Sequence, residues 1–508
     1  MSESKKSGGK RKTRSQWQTP TTTIRVPLHL AKNLVKIAIK LELLSETELE
    51  TAVKHFLDPP SPNEVATNSN NTVLPANLQA KSSQNLTEDQ ERAIEKLKSF
   101  ILGSDFLFRL TGYAGTGKSF LICYLLQWLK SKKIDFVVVA PTNKAAKNLA
   151  KLSAGLGLFA EAITIAKLLG QQPQINKETG KEEFISAEYI ELPPVVIIDE
   201  FSMVAQNTFF KLVQEAKISN SKIIFVGDAA QLPPVGEKQS YIETATEIKS
   251  SFELNEVVRY EGEIARVAEE IRSNNAYNFR VFPFVTTVDE TIRLLGKREW
   301  LKEAARYFNS PEFQEDPDYC RILVWRNRNA DSLNSWIRSC LWGQNPPLFC
   351  VGDRLIAKKP VFRPSANFSG KSKTQWNIIM NNSEECEIID NFRLDKSRSL
   401  GWSYWTVPVK TDDGIELELR ILTKEGEAER QAAIETASKM KDWKQVTIYN
   451  KSFDTIAFAY ALTTHKAQGS SIDYTFMDLQ DMRHCPDKQR IQYTALTRAK
   501  KQAIVLGR

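Results

Sequence analysis

The sequence lacks the features that mark membrane-spanning, exported or disulfide-linked proteins. None of its apolar runs approaches the roughly 18 residues that a membrane span needs. The basic N-terminus contains no apolar signal-peptide core, which predicts that the protein is not exported. The six cysteines include no CxxC pair, which favours reduced core thiols over a disulfide framework or a metal site. These absences predict a cytoplasmic protein without a membrane partner.

Residues that could carry metal chemistry are also scarce. Only four histidines are present, and no acidic cluster beyond Asp199 and Glu200 could hold catalytic metal ions, which argues against a nuclease. The 69 lysines and arginines exceed the 61 acidic residues, and the net charge of +8 favours a polyanionic partner without establishing one. The hydrophobic fraction of 42% is ordinary for a globular protein. The length of 508 residues predicts about two to four domains.

The N-terminal region is predicted to form three segments. Residues 1–20 are polar and basic, which predicts a disordered tail that attracts phosphate backbones or only keeps the chain soluble. Residues 21–57 are predicted as one strand and two helices and resemble a ribbon-helix-helix DNA-binding module, the alternative being a small amphipathic appendage. Residues 58–84 are rich in Pro, Asn and Ser, which predicts a linker.

From residue 85 onward, apolar strands alternate with helical patterns. The runs FLFRLTG, DFVVVAP, PPVVIIDE and KIIFVGD are almost continuously apolar, as expected for a parallel sheet that is covered on both faces. Ligands bind beyond the carboxyl ends of the strands in such sheets. The residues that end these four runs are therefore the first candidates for a functional site.

The segment GYAGTGKS, residues 112–119, fits the pattern GxxxxGK[ST] between a strand and a helix. Its glycines let backbone amides wrap a phosphate chain at a helix N-terminus, which predicts ATP binding. Lys118 is predicted to reach the β and γ phosphates, and the Ser119 hydroxyl to bind Mg²⁺. The predicted ATP contacts of this phosphate loop are Gly112, Ala114, Gly115, Thr116, Gly117, Lys118 and Ser119.

A second apolar strand, VVIIDE, ends in the acidic pair Asp199 and Glu200. An aspartate at this place can hold Mg²⁺, and the adjacent glutamate can orient or deprotonate an attacking water. The phosphate loop and the acidic pair together predict Mg²⁺-dependent ATP hydrolysis.

The order of these and later motifs resembles that of superfamily 1B DNA helicases, in the branch of RecD-like and phage Dda-like enzymes. The resemblance extends from residue 86 to the C-terminus. The segments that carry it, besides the phosphate loop and the acidic pair, are LTEDQ (86–90), APTNKAA (140–146), FVGDAAQLPPV (225–235), LNEVVRY (254–260), AYALTTHKAQGSS (459–471) and YTALTRAK (493–500). It implies two RecA-like motor domains that close over ATP and move along a single strand.

The resemblance also implies roles for individual residues. Gln90 would read the adenine, Gln231 would sense the γ-phosphate and Gly469 would contact ATP. Arg259 and Arg498 would stabilise the charge that gathers on the γ-phosphate when the second domain closes. The predicted catalytic set is therefore Lys118, Glu200, Gln231, Arg259 and Arg498. The implied DNA contacts are Pro141, Thr142, Asn143, Thr164, Thr463, His465 and Lys466.

The predicted fold class is α/β, with two RecA-like parallel-sheet domains and two insertions. The first domain covers residues 85–255 and contains a pin hairpin at about 170–194, because NKETGK is a turn between strand-capable segments. The second domain covers residues 256–383 and 455–508. Residues 384–454 change to short alternating strands, and the resemblance implies an SH3-like β-barrel insertion there.

The resemblance implies an ATP- and Mg²⁺-dependent DNA helicase or translocase that moves 5′→3′ on single-stranded DNA. Its partners would be single-stranded DNA, a duplex fork and a protein that loads it, which would place it at the nucleoid. A monomeric motor is expected, or a dimer formed through residues 21–57. Two alternatives stay open: an RNA-directed superfamily 1 helicase, and a DNA-targeted ATPase switch or recruitment factor that uses the N-terminal module.

Overall fold

The computed structural model describes residues 86–507, apart from residues 156, 159–161, 176–181, 186–189, 257–262, 274–290 and 365–375. The predicted tail, strand-helix-helix module and linker lie outside the described residues. The elements of the first domain are α1 (Glu88–Leu102), β1 (Leu107–Gly112), α2 (Lys118–Ser131), β2 (Phe136–Ala140), α3 (Asn143–Gly155), β3 (Ala162–Thr164), α4 (Ile165–Leu168), β4 (Gln172–Ile175), β5 (Glu182–Ile185), β6 (Val195–Ile198), α5 (Gln206–Ile218), β7 (Lys222–Gly227), α6 (Tyr241–Thr244) and β8 (Ser250–Leu254).

Six of these strands form the first sheet, in the order β3-β2-β6-β7-β1-β8, and all of them run parallel. Every residue of β6 is buried, which explains its unbroken apolar sequence. Its consecutive residues Ile197 and Ile198 pack into two different apolar clusters, because side chains alternate between the faces of a strand. The sheet is therefore covered on both faces, as its sequence predicted.

Strands β4 and β5 lie outside this sheet. They pair with each other in antiparallel register, from Gln172 opposite Ile185 to Ile175 opposite Glu182. A hairpin is thus present within the region where the pin was predicted. Its action as a pin stays a prediction.

The remaining elements alternate between a second parallel sheet and an insertion. Before the insertion they are α7 (Glu263–Ser273), β9 (Ile292–Leu295), α8 (Lys297–Phe308), α9 (Pro311–Glu315), β10 (Cys320–Val324) and α10 (Asn327–Trp342). The insertion contains β11 (Arg354–Ala357), β12 (Val361–Pro364), β13 (Trp376–Met380), β14 (Glu385–Ile388), β15 (Arg393–Lys396), β16 (Ser403–Thr411), β17 (Glu416–Leu422), α11 (Lys424–Lys439), α12 (Trp443–Lys451) and β18 (Ile456–Phe458). After it come β19 (Ala461–Thr463), β20 (Ile472–Asp478), α13 (Leu479–Met482), α14 (Lys488–Leu496) and β21 (Ala499–Leu506).

The second sheet has the order β19-β10-β20-β21-β9 and is also parallel throughout. It joins strands from both sides of the insertion, so the second domain is discontinuous in sequence. The prediction of two α/β domains with parallel sheets is confirmed.

The insertion forms an antiparallel sheet in the order β15-β16-β14-β11-β18, with β17 paired to the other edge of β16. It begins at β11 and ends at β18, so it extends beyond the predicted residues 384–454 on both sides. An SH3-like identity for it stays a prediction.

The structure bears on two predictions: that the chain has no membrane span, and that its cysteines are core thiols. In the region of the chain that the structure describes, no helix combines the length and apolar character of a membrane span. The six cysteines are free, and four of them are buried, but Cys340 is exposed, so the prediction of core thiols was wrong for that residue.

Candidate active site

Three segments of the first sheet meet at one edge. Strand β7 lies between β1 and β6, and all three strands are parallel. The phosphate loop follows β1, and the acidic pair follows β6. Residues 225–234, which we call the QLPP segment, leave the same edge at the end of β7. The sheet therefore brings together the three segments in which the sequence predicted ATP chemistry.

The phosphate loop enters helix α2 at Gly117, which has a φ of +80°. A β-carbon at this position would lie 2.5 Å from Nε2 of Gln90, so glycine suits both the backbone conformation and the available space. Lys118 donates from Nζ to the carbonyl oxygens of Gly112, at 2.6 Å, and Tyr113, at 2.8 Å. Its ammonium group therefore lies over the loop, where the phosphates are predicted to bind.

Gln90 is almost fully buried, and both ends of its amide are hydrogen-bonded. Its Oε1 accepts from the Thr87 N–H at 3.2 Å, and Thr87 Oγ1 accepts from the Gln90 N–H at 3.3 Å, which makes a capping box at the start of α1. Its Nε2 donates to the Thr116 carbonyl oxygen of the phosphate loop at 3.1 Å. Gln90 thus joins α1 to the loop, and its contact with adenine stays a prediction.

The acidic pair combines a buried aspartate with a strained glutamate. The Glu200 N–H donates to Asp199 Oδ1 at 2.9 Å. Glu200 itself has a φ of 53° and a ψ of 46°. This left-handed conformation costs a residue with a side chain about 1–2 kcal/mol, and such strain concentrates at functional sites.

The donors at this edge fit Mg²⁺. Burial, and then the charge of Glu200, raise the pKa of Asp199 to about 7. A cation beside Asp199 would favour its ionised form. Mg²⁺ is held through one or two carboxylates together with substrate phosphates and waters, which suits Asp199 and the Ser119 hydroxyl. Among the residues that the structure describes, no group of three or more His, Cys, Asp or Glu could hold a metal by itself.

An arginine of the second domain reaches the acidic pair. Arg498, between α14 and β21, places Nη1 at 4.0 Å from Glu200 Oε1. Its guanidinium is held by the carbonyl oxygens of Thr494, at 3.2 Å, and Ser470, at 3.3 Å. The predicted catalytic glutamate and the predicted arginine are therefore brought together, although they belong to different domains.

The QLPP segment is held by the second domain as well. Asp228 Oδ1 accepts from the Ala230 N–H at 2.9 Å, which folds the segment into a turn. The Leu232 N–H donates to Thr494 Oγ1 at 3.1 Å, and its carbonyl oxygen accepts from Gln468 Nε2 at 3.0 Å. The Leu232 side chain also lies in an apolar cluster of the second domain. The turn that the sequence predicted is thus also a contact between the domains.

Gln231 lies at the centre of this segment. It is 3% exposed, and its Oε1 has no hydrogen-bond partner among the described residues. Buried amide oxygens are normally bonded, so an unpartnered one needs an explanation. A carbonyl oxygen in this state can accept a hydrogen bond from a water.

Sequence reasoning missed Tyr493 of helix α14. Its hydroxyl donates to Asp228 Oδ2 at 2.7 Å and accepts from the Ala114 N–H of the phosphate loop at 3.1 Å. The only sequence signal for this residue is its position in the segment YTALTRAK, where the pattern indicates Arg498. We call the bonds that Tyr493, Thr494, Gln468 and Arg498 make to the first domain the cleft contacts.

Known proteins resemble the chain along most of its length. The family model for an AAA domain matches residues 85–304, and that for a UvrD-like helicase C-terminal domain matches residues 458–506. The chain is 27% identical to the ATP-dependent DNA helicase dda of Enterobacteria phage T4, over 82% of the chain and 98% of the relative. It is 26% identical to the ATP-dependent DNA helicase Pif1 of Campylobacter jejuni, over 78% of the chain and 88% of the relative. The predicted resemblance to superfamily 1B DNA helicases is thereby confirmed, and so is the prediction of an ATP-hydrolysing DNA helicase.

Among solved structures, this helicase matches a crystal structure of Pif1 helicase from Bacteroides in complex with ADP-AlF3 and ssDNA. The match covers 83% of the chain and 92% of that protein, at 18% identity and a TM-score of 0.46.

The hydroxyls predicted to contact DNA lie at strand ends in both motor domains of the helicase. Thr142 follows β2, Thr164 ends β3 and Thr463 ends β19. Thr142 Oγ1 accepts from the Ala145 N–H at 3.3 Å, and Thr164 Oγ1 accepts from the Lys167 N–H at 3.2 Å. A hydroxyl that accepts one such bond still has its own O–H to donate to a phosphate oxygen. These positions are compatible with DNA contacts, which stay predictions.

The other predicted DNA contacts flank these hydroxyls. Pro141 and Asn143 are half-buried on either side of Thr142. Burial lowers the pKa of His465, which favours a neutral imidazole. Burial, and then the charge of Lys358, lower the pKa of Lys466. An approaching phosphate would favour the charged form of both side chains.

Gly469 and Arg259 are the two remaining residues that were predicted to contact ATP. Gly469, with a φ of +75°, packs against α3 so closely that a β-carbon would lie 2.8 Å from Cβ of Ala145. Its carbonyl oxygen accepts from Asn148 Nδ2 at 2.7 Å. The described contacts of Gly469 are thus with α3, and its contact with ATP stays a prediction. Arg259 lies outside the described residues, so its role is likewise still a prediction.

Charged side chains join α3 to the second domain and the insertion. We call them the bracket cluster, and its members are Lys144, Lys147, Asp318, Arg321, Glu384, Glu385 and Asp413. Lys144 Nζ lies 2.6 Å from Asp318 Oδ1 and 3.3 Å from Glu385 Oε1. Lys147 Nζ lies 2.9 Å from Glu384 Oε1 and 2.7 Å from Asp413 Oδ2.

The centre of the bracket cluster is buried. Arg321 is 0% exposed, and its Nη2 lies 2.9 Å from Glu385 Oε2. Burial alone would raise the pKa of Glu385, but the charges of Arg321 and Lys144 outweigh it and lower the pKa to about 2. The carboxylate is therefore ionised at neutral pH, and its charge is shared between partners from two domains.

Proposed function

We propose that this helicase moves 5′→3′ along single-stranded DNA, and that hydrolysis of ATP is conditional on closure of the cleft between its motor domains. The observation that carries the proposal is the 4.0 Å separation between Arg498 Nη1 and Glu200 Oε1. It supports an active site that needs both domains, because one side chain comes from the first domain and the other from the second. The direction of movement is what the resemblance to RecD-like and Dda-like enzymes implies.

In the proposed reaction a water attacks the γ-phosphoryl group and ADP leaves. Glu200 orients the water and takes its proton, while Lys118 and the loop amides hold the phosphates. Mg²⁺, held through Asp199 and Ser119, would neutralise some of the phosphate charge when bound. Arg498 adds positive charge as the phosphoryl group moves, and it does so only when the second domain is close.

Three further ATP contacts belong to the proposal. Gln90 would turn its amide from the loop carbonyl to the adenine, Arg259 would contact the γ-phosphate, and Gly469 would approach the nucleotide. Each comes from the resemblance, and the described bonds of Gln90 support a position beside the phosphate loop.

Gln231 is proposed to report the state of the γ-phosphate to the DNA-binding side. An amide can donate to phosphate or accept from water without competing for the proton or the metal. Its buried and unpartnered Oε1 supports this role. The prolines Pro233 and Pro234 stiffen the segment that follows, so that a shift of Gln231 passes onward.

A single strand of DNA is proposed to cross the strand ends of both motor domains. Hydroxyls, amides and single cations hold phosphates without choosing a sequence, which suits a translocase. The proposed contacts are Pro141, Thr142, Asn143, Thr164, Thr463, His465 and Lys466. A loading protein, a monomeric motor and a dimer through residues 21–57 stay predictions.

The β4–β5 hairpin is proposed as the pin that splits the duplex. Each stacking step of DNA is worth about 1.4 kcal/mol, so a rigid obstacle at the fork can separate the base pairs singly as the strand is pulled past it. Its antiparallel pairing supports the proposal. A variant without residues 171–192 should translocate normally but separate strands more slowly, and full unwinding by that variant would contradict the pin.

The test of the function is strand separation on duplexes with a single-stranded 5′ or 3′ tail, in the presence of ATP and Mg²⁺. We expect separation from the 5′ tail, and neither hydrolysis nor separation with the Lys118→Ala control. Separation from the 3′ tail alone would contradict the direction, and DNA-stimulated hydrolysis by the control would contradict the site. If RNA stimulated ATP hydrolysis more than DNA, the RNA-directed alternative would be favoured. Binding of residues 1–84 to a specific duplex would favour the recruitment alternative.

A further inference from the structure

Tyr493 occupies an unusual position between the two motor domains. It belongs to α14 of the second domain, yet both hydrogen bonds of its hydroxyl go to the first. It donates to Asp228 Oδ2 at 2.7 Å and accepts from the Ala114 N–H at 3.1 Å. One oxygen atom therefore connects the phosphate loop to the QLPP segment.

The surroundings of Tyr493 fix both its ring and its proton. The side chain is 2% exposed, and the ring packs in the same apolar cluster as Leu232. Burial, and then the charge of Asp228, raise the pKa of Tyr493 well above its usual value. The hydroxyl thus stays protonated and always has one hydrogen to donate.

We infer that Tyr493 is a positioning residue, which ties the phosphate loop to Asp228 of the QLPP segment and so transmits closure of the cleft to Gln231. The inference rests on the ATP hydrolysis described above. Tyr493 touches no reacting atom in this role. It acts through Asp228, whose other oxygen folds the turn that carries Gln231.

The bond to Ala114 makes this connection sensitive to the nucleotide. Backbone amides of a phosphate loop are the groups that take phosphate oxygens. A phosphate that takes the Ala114 N–H competes with the Tyr493 hydroxyl for it, whereas the bond to Asp228 is left intact. Removal of the hydroxyl should therefore leave ATP binding unharmed but weaken the response of the QLPP segment.

The test is Tyr493→Phe, which keeps the buried ring and removes only the hydroxyl. We expect the DNA-stimulated kcat, and the base pairs separated per ATP, to fall at least about tenfold, the worth of one hydrogen bond to a charged carboxylate. The KM for ATP should not rise. A loss that came only from a poorly folded protein would lower the melting temperature and the fraction of active enzyme, but it would leave the base pairs separated per ATP unchanged.

Tyr460→Phe is the matched control. The Tyr460 hydroxyl donates to Asp353 Oδ1 at 2.9 Å and accepts from the Arg354 N–H at 3.3 Å, and the residue is 1% exposed. It thus has the same pattern of bonds as Tyr493, at a place remote from the phosphate loop. We expect a similar change in melting temperature and unchanged kinetics. Equal kinetic losses in both variants would overturn the inference.

A double variant tests whether Tyr493 acts through Asp228. Tyr493→Phe combined with Asp228→Asn should be no slower than the slower single variant, since both changes break the same bond. Strictly additive losses would show that Tyr493 does not act through Asp228 and would sink the inference. A wild-type chain without DNA-stimulated hydrolysis would refute the proposed reaction itself. If the wild type is active and Tyr493→Phe has the same kinetics, only the role of Tyr493 is refuted.

Discussion

Among the described residues, two groups of contacts between the first and second motor domains of this helicase differ in their chemistry. The cleft contacts are mostly single neutral hydrogen bonds, such as that of Ala114 to Tyr493 and that of Leu232 to Thr494. The bracket cluster consists of ion pairs, and at its centre Arg321 and Glu385 are buried.

This difference indicates which contact can open during a reaction cycle. A neutral hydrogen bond is worth about 0.5–1.5 kcal/mol and can be exchanged for one to water. Separating a buried ion pair leaves an uncompensated charge, which costs about 3–5 kcal/mol. We therefore expect the cleft contacts to break and reform with each ATP, and the bracket cluster to persist as the pivot.

The largest effect should come from removing the charge at the cleft. Arg498→Ala should lower kcat for ATP hydrolysis about 10³-fold, the lower bound for an arginine that completes a phosphoryl-transfer site. The physical reason is that the charge on the moving phosphoryl group loses its partner from the second domain. Single-turnover hydrolysis, with the protein in excess over ATP and at a saturating concentration, measures the change.

The matched control is an arginine of the bracket cluster. Arg321→Met should destabilise the fold by about 3–5 kcal/mol, because Glu385 is left buried with fewer partners. Its folded fraction should still hydrolyse ATP at nearly the wild-type rate. If Arg498→Ala destabilised the protein as much as Arg321→Met, the contrast between the two regions would be wrong.

A smaller effect should appear when the bracket cluster is titrated with acid. The pKa of Glu385 is about 2 in the fold and near 4.5 in the unfolded chain. Because the unfolded chain binds the proton first, stability falls as the pH drops from about 4.5 towards 2, by about 3 kcal/mol in full. The loss is reversed when the pH is raised again.

Urea unfolding of the wild type and of Glu385→Gln, at several pH values between about 5 and 3, isolates this contribution. The variant should be less stable near pH 5, with a shallower decline below it, because its amide does not titrate. Parallel declines in the two proteins would assign the acid sensitivity to other carboxylates.

The segments of the ATP site were recognisable in the sequence. The phosphate loop, the acidic pair and the QLPP segment were recognisable because each is a short run of residues at the end of an apolar strand. Their meeting at one sheet edge follows from parallel pairing alone. The first parallel sheet was predictable for the same reason, whereas the second was implied by the resemblance.

The contacts between domains were not predictable in this way. Asp228 and Tyr493 are 265 residues apart, and Lys144 and Glu385 are 241 residues apart, so no local pattern links them. The boundaries of the insertion in the sequence were missed for a related reason. Every residue of β11 is buried, so its sequence RLIA resembles a strand of a parallel sheet although its partners are antiparallel.

The smallest effect should come from Gln231, the one residue of the QLPP segment that lacks a partner for its side-chain oxygen among the described residues. Gln231→Ala removes no bond that the fold needs, so the stability and the KM for ATP should be close to wild type. It does remove the group that would respond to the γ-phosphate. We therefore expect hydrolysis to continue while the base pairs separated per ATP fall by up to about tenfold, the worth of one hydrogen bond.

Gln239→Ala provides the control, since Gln239 is an exposed glutamine in the chain between β7 and α6. It should leave both hydrolysis and unwinding unchanged. Unwinding at the wild-type rate by Gln231→Ala would reduce the QLPP segment to a turn that only packs against the second domain. If hydrolysis were lost together with unwinding, Gln231 would instead take part in the hydrolysis of ATP. Hydrolysis and movement could then not be separated by a change at this residue.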